Sequence, residues 1–447
     1  MRRTKRLNFL AFRWAVRITF CAASALLLLA CQLGTDGAPS PKNVQLANQH
    51  VKFPAWQAGY LDIHHINTGR GDAAYFVFPD GTEMVFDVGD LGKDSLKNHP
   101  IMKVAEARPN ATKQPGEWIA DYILQVRPDN KPLKLDYAVI SHFHADHYGN
   151  AETRSLLSNS GQFIRTGVTE LGDIFAIDTL IDRAYPEYNL PKDLKGAYGK
   201  TFENYLAFID EKITTEGLKV EQLLVGSNQQ IALQYSEGDF PQFSVRNVKS
   251  NGHIWSGEGS GTFEYLQPSV IVDKKGKFNE NPLSLALEIS YGDFDYFTGG
   301  DMTGLQGFGL KPWFDVETPV ANVIGQVDAL ALNHHGNRDA TNENFLKMLA
   351  PRVIVQQSWI SDHPGGEVLH RMASKAIYPE DRDIFSTNMQ QETKVAIGSW
   401  LMKAYDSFEG HIVIRVEPFG KQYYVYILDD RSSVLSVKST FGPYTSN

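Results

Sequence analysis

Three imidazoles and a carboxylate fall within six positions in the run Ser141-His142-Phe143-His144-Ala145-Asp146-His147. Imidazole nitrogen and carboxylate oxygen suit zinc, manganese or iron better than calcium. The residues just ahead, 135–141, form a strongly β-forming apolar run and read as a buried strand. On a strand, residues i and i+2 point to the same side, so His142 and His144 can reach one metal together. The chain must then turn before Tyr148-Gly149-Asn150, which aims Asp146 and His147 at a second metal. The spacing therefore points to a two-metal site. The competing reading is a chance polar cluster at a strand end, and the length of the motif counts against it.

A metal pair needs a bridging carboxylate and further imidazoles. Thr298-Gly299-Gly300-Asp301 offers the carboxylate, and its two glycines let the backbone turn tightly after the preceding strand. Residues 328–333 read as another buried strand, ending in His334-His335-Gly336. One of that pair is expected as a ligand with the other on the opposite side, and His334 is favoured. His64 and His65 lie on an early strand where only one can face inward, and core packing accounts for both.

The elements that must hold these residues are mostly strands. Residues 60–66, 73–78 and 83–86 alternate as β, with the turn Pro79-Asp80-Gly81 making a hairpin. Asp87-Val88-Gly89-Asp90 follows at a strand end. Strands are expected again at 230–234, 243–248, 284–291, 295–298, 352–356, 410–416 and 422–428, and helices at 116–126, 201–212 and 342–349. Residues 151–225 mix helical stretches with proline-containing loops and read as a helical insertion, a lid over the site. Strands dominate both halves with helices between, which is satisfied by two sheets packed face to face with helices outside.

The bulk numbers fit one large α/β domain. The chain has 447 residues, 42% hydrophobic and 21% charged. Residues 1–30 carry six Lys or Arg and no Asp or Glu, and their apolar stretch 18–29 is too short to span a bilayer comfortably. They read as a secretory signal peptide. The ending Leu28-Leu29-Ala30-Cys31 resembles a bacterial lipoprotein box with Cys31 lipidated, followed by a tether over 31–57. The only cysteines are Cys21 and Cys31, so neither a disulfide nor a thiolate ligand is expected in the folded body. Removing residues 1–30 moves the net charge from −9 to −15. Such a chain repels polyanions at long range, which makes nucleic acid an unlikely main partner, although a local basic cleft is compatible with it. The expected setting is an exported, membrane-anchored lipoprotein, periplasmic or at the cell surface, acting on a small molecule.

The order D-x-G at 87–89, H-x-H-x-D-H at 142–147, G-D at 300–301 and H-H-G at 334–336 resembles the metallo-β-lactamase-fold hydrolases. Segments 67–72, 79–81, 86–89, 281–301, 332–336 and 362–364 are similar to the hydrolase domain of ComEC-type competence proteins and their exported relatives. The resemblance implies a four-layer αββα sandwich over 58–430, with 151–225 inserted and 431–447 a C-terminal tail. It implies two divalent metal ions, most simply Zn2+, with Mn2+ or Fe as alternatives. His142 and His144 would hold the first metal, Asp146 and His147 the second with His334, and Asp301 would bridge. His335 is the alternative to His334. Asp87 would accept a hydrogen bond from a ligand imidazole. Many members place a further His on the first metal, for which His253 is the sole candidate between 148 and 300. Asp146 would also orient the attacking hydroxide, and His363 would contact substrate or donate a proton. The implied activity is hydrolysis, with a small phosphodiester ahead of lactone, thioester, amide or β-lactam substrates. A non-catalytic binding lipoprotein is the reading from another class.

Overall fold

The computed structural model describes residues 51–447 apart from 93, 306 and 308. The signal peptide, Cys31 and most of the tether lie outside the described residues. In chain order the strands are β1 (Leu61–His65), β2 (Ala73–Val77), β3 (Glu83–Val88), β4 (Lys134–Val139), β5 (Ala176–Asp182), β6 (Lys219–Gln222), β7 (Phe243–Ser250), β8 (His253–Trp255) and β9 (Thr262–Glu264). They continue with β10 (Ala286–Tyr291), β11 (Phe294–Thr298), β12 (Ala329–Ala331), β13 (Val353–Gln356), β14 (Asp383–Ser386), β15 (His411–Val416), β16 (Gln422–Leu428) and β17 (Val437–Thr445).

They form two mixed sheets. The first has the order β17-β16-β15-β1-β2-β3-β4-β5-β6 and the second β14-β13-β12-β11-β10-β7-β8-β9. In the first, β3, β4, β5 and β6 are parallel neighbours. In the second, β11, β12, β13 and β14 are.

Side-chain alternation explains the layering. Along β2 and just beyond it, Ala74, Phe76 and Phe78 join an apolar cluster shared by both sheets, while Tyr75 and Val77 join one built with helices. The shared cluster meets the second sheet at Leu287, Tyr296, Ala329, Val353 and Val355. On the outer face of the first sheet lie Ile119, Ile123, Leu171, Phe202 and Phe208 from helices Pro115–Val126, Gly167–Ile174 and Leu194–Glu216. On the outer face of the second, Phe297, Leu330 and Ile354 meet Val320, Phe345 and Leu369 from helices Glu317–Ile324, Glu343–Leu349 and Gly366–Ala373. Both sheets are thus covered on both faces, an α/β sandwich. Among the described residues, no helix is long and apolar enough to cross a membrane.

Three expectations are corrected here. Residues 151–225 do not form a separate lid, because they supply β5 and β6 to the first sheet and two helices to its outer face. Residues 230–234 are not a strand: Ile231 and Leu233 are buried, but the backbone runs irregularly, tied to Tyr137 and Thr82 side chains. Residues 431–447 are not a simple tail, since β17 pairs antiparallel with β16. Gly442-Pro443 hides that strand in the sequence, yet proline is tolerated there because β17 is an edge strand.

Candidate metal centre

Parallel neighbours end on the same side of a sheet, so the residues after β3 and β4, and after β11, β12 and β13, share one rim of the sandwich. In open α/β sheets this carboxyl-terminal rim is where ligands bind. Every residue of the motif pattern falls there.

The histidine run begins beyond β4, not on it. Asp87, at the end of β3, pins the first turn of this segment: its carboxylate accepts from Ser141 N and Ser141 Oγ, both at 2.7 Å. Phe143 N donates to Glu280 Oε1 at 3.2 Å. The Phe143 ring sinks into the outer core, 5.0 Å from Phe202. With Phe143 held inward, extended backbone turns His142 and His144 to the other side, and His142 Nε2 comes 3.0 Å from His144 Nδ1. Asp146 and His147 then sit on the short helix Ala145–Tyr148.

Asp301 follows β11 through Gly300, whose φ is +53°. A Cβ on Gly300 would stand 2.7 Å from Ser141, so only glycine lets the two sheets' loops approach this closely. Asp301 divides its oxygens. Oδ2 lies 3.6 Å from His142 Nε2 and 3.7 Å from His334 Nε2. Oδ1 lies 3.2 Å from His147 Nε2 and 3.4 Å from His335 Nε2. Asp146 Oδ2 completes the second side, 3.2 Å from His335 Nε2 and 3.7 Å from His147 Nε2. Two groups result, each with donor atoms within 4.8 Å of one another: His142, His144 and Asp301, and Asp146, His147, Asp301 and His335.

The preference for His334 over His335 is therefore corrected: His335 joins the second group. His334 and His335 adopt φ of +47° and +55°, so strand alternation does not govern them. His334 instead borders the first group, with Nδ1 bonded to Asp339 at 2.5 Å and Nε2 near the Asn281 amide at 3.1 Å. His253 joins neither group. It is exposed on β8, in register with Ser250 and Glu264. His363 is buried at the rim, its ring stacked 4.9 Å from His335 and its Nδ1 without a partner. His64 bonds Tyr122 at 2.9 Å and His65 packs on Tyr296, both away from the groups.

The donors are arranged as metal ligands need. His147 Nδ1 lies 2.8 Å from Asp87, and His335 Nδ1 lies 2.9 Å from Asp72. The Asp87 hydrogen bond fixes the His147 ring so that Nε2 faces inward, and Asp72 offers His335 Nδ1 a carboxylate by ion pairing. His147 Nε2 and Asp301 Oδ1 are buried with no hydrogen-bond partner, which fits a cation between them. Burial opposes ionisation of Asp301, but His147, His335, His334 and His142 hold its carboxyl well below the usual range. Burial also disfavours charge on His147, yet Asp301, Asp146 and Asp87 push it well up. Burial keeps His142 and His363 well below the ordinary imidazole value, leaving neutral rings with a free lone pair. The three positive-φ residues Asp87, His334 and His335 concentrate backbone strain at this rim, as functional sites commonly do.

Sequence reasoning gave no role to Asp72, Asp339, Glu280 or Trp359, whose Nε1 lies 3.3 Å from His335 Nε2. Asp72 ends the glycine-rich segment 67–72, whose resemblance to the hydrolase family marked the stretch without giving this residue a role. Comparison with protein-family models and with curated proteins finds no match to this chain.

Proposed function

We propose that the chain is a metal-dependent hydrolase of the metallo-β-lactamase type, working with two divalent cations, zinc first among them. The observation that carries this reading is Asp301, with one oxygen turned to His142 and the other to His147 and His335. A carboxylate split in this way suits a cation on each side. Such a pair, when bound, would supply Lewis acidity and make water a nucleophile at neutral pH.

The chain's own residues do the rest. His142 and His144 would hold the first cation, Asp146, His147 and His335 the second, and Asp301 would lie between them. Asp87 and Asp72 keep two of the rings in the ligating orientation. Asp146 orients the attacking water. His363, neutral and with a free ring nitrogen, contacts the substrate by hydrogen bonding. The P–O bond of a small phosphodiester is the bond proposed to break. Lactones, thioesters, amides and β-lactams are the alternatives at the same site. In this reading the chain is exported and held at a membrane by lipid on Cys31.

The test has two parts. Purified protein is loaded with zinc, manganese or iron, its metal content measured, and turnover followed on chromogenic phosphodiesters, esters and β-lactams. The wild type is expected to hold two metal equivalents and to hydrolyse at least one class. His142→Ala and Asp301→Ala are expected to abolish turnover while circular dichroism stays native. Unchanged turnover in either variant rejects the assignment, and a fully loaded but inert wild type favours the binding-protein reading.

A further inference from the structure

Beside the metal centre lies a cleft of about 450 Å³ whose walls are unlike the rest of this acidic chain. Its charged lining is Arg70, Lys113 and Arg154 against the single carboxylate of Glu117, and the Trp118 ring forms part of one wall. Arg154 is held by Asp90, and Lys113 by Asp121. Arg70 differs. Its Nη1 donates to the carbonyls of Gly69 and Ala105, and no carboxylate among the described residues lies within ion-pairing distance of it. Burial lowers its affinity for a proton, and Asp90 offsets that from a distance. A guanidinium remains cationic in any such setting. The cleft therefore holds a cation whose Nε and Nη2 donors are free for a ligand.

Position ties the cleft to the site. Gly71, the neighbour of Arg70, packs on the backbone of Asp146 so tightly that a Cβ there would stand 2.3 Å from the Asp146 carbonyl oxygen. With consecutive Cα atoms 3.8 Å apart, Arg70 Cα lies within roughly 8 Å of Asp146 Cα. On the other wall, Arg154 follows the metal motif, and Asp90, which holds it, donates its backbone N–H to the Ala145 carbonyl at 3.0 Å. Two edges of the cleft thus come from the segments that carry Asp72 and Asp146, and residues 107–118 supply the rest of its wall.

We infer that this cleft is a phosphate subsite, in which Arg70 binds the phosphate next to the one cleaved. A planar guanidinium with free N–H donors matches the oxygens of phosphate. The inference rests on the phosphodiester reading for its second half only, since the anion site can be tested without turnover. It narrows the substrate to short diesters carrying a second phosphate. The net negative charge of the chain works against long polyanions.

Two measurements decide it. The first uses metal-free full-length protein and inorganic pyrophosphate in a calorimetric titration. Binding is expected, and Arg70→Gln is expected to weaken it by about tenfold or more, the usual loss for a charge-assisted hydrogen bond. Lys113→Gln, at an exposed position, is expected to weaken it less. Arg70→Lys is expected to recover part of the binding. The second compares metal-loaded protein on a dithymidine diester with and without a 5′-phosphate. KM is expected to be lower for the phosphorylated form, and Arg70→Gln is expected to erase that difference with kcat little changed. No binding of pyrophosphate, or binding indifferent to Arg70→Gln, overturns the inference. An equal KM change on both diesters overturns the subsite even where pyrophosphate binds. If wild type cleaves neither diester, the proposed function falls while the titration still judges the anion site.

Discussion

At the scale of single residues, the site divides into donors and the carboxylates that aim them. Asp72 is the sharper case, because it sits 263 positions from the His335 ring it faces. Removing such an orienting partner costs metal affinity about 10- to 100-fold in comparable sites. Asp72→Asn is accordingly expected to weaken the second metal by that order and leave the first in place. Competition with a chromophoric chelator would register two classes of site, and equal affinities would show that Asp72 does not orient His335. His253→Ala is the control: its ring is exposed on β8, so metal content and turnover should both stay at the wild-type level. Loss of either would return His253 to the ligand set. The contrast also marks what was legible in the sequence. His142, His144, Asp146 and His147 are contiguous, and their residue types alone announced a metal site. The choice between His334 and His335 depended on two left-handed backbone angles that no side-chain periodicity encodes. Asp72 depended on a contact between the two sheets' loops, which local patterning does not contain.

At the scale of elements, strands carried the strongest sequence signal. β1, β2, β3, β4, β7, β10, β11, β13, β15 and β16 all fall where apolar runs or alternation placed them. The weak region was 151–225, because β5 and β6 are separated by the long helix Leu194–Glu216 and read as loops between helices. Those residues hold the metal loop from behind. Arg183, at the end of β5, grips Glu280 with Nε at 2.5 Å and Nη2 at 2.7 Å, and Glu280 in turn holds Phe143 N. Both side chains are fully buried, so loss of one partner leaves the other's charge uncompensated. A second buried acid ties helix Gly167–Ile174 to helix Pro115–Val126. Burial pushes Glu170 up to about 8, with Asp90 and Glu117 adding to the rise and Arg165 opposing it. An acid raised in the folded state stabilises fully below its unfolded value near 4.5, and that contribution is lost as pH climbs through about 8. Glu170→Gln carries no such loss. Its melting temperature is expected to match the wild type near pH 4.5 and to exceed it increasingly up to pH 8. Each pH unit crossed is worth at most about 1.4 kcal/mol. Parallel melting curves across that range would place the Glu170 side chain in water.

At the scale of the whole molecule, the centre belongs to neither sheet alone. The first sheet's rim gives His142, His144, Asp146 and His147, and the second's gives Asp301 and His335. Ligation therefore reports whether the two sheets are packed, and the shared apolar cluster is what packs them. That cluster extends to the far end of the first sheet, where Phe441 of β17 meets Phe385 of β14 at 4.9 Å between ring centroids. β17 stands six strands from β4 in the first sheet, so the Phe441 contact lies well away from the metal rim. Phe441→Ala separates the two roles. Truncating a buried phenylalanine costs about 3–5 kcal/mol, a large share of a typical total of about 5–15 kcal/mol. The melting temperature should drop by several degrees at least. Below the new transition the sheets are still packed, so two metal equivalents should remain bound with wild-type affinity. Calorimetry with elemental analysis on the same sample tests both halves. An unchanged transition would mean that β17 is not seated against β14. Lost metal in a natively folded sample would mean that strain at the far edge reaches the rim, and that the sandwich does not behave as a rigid frame for its ligands.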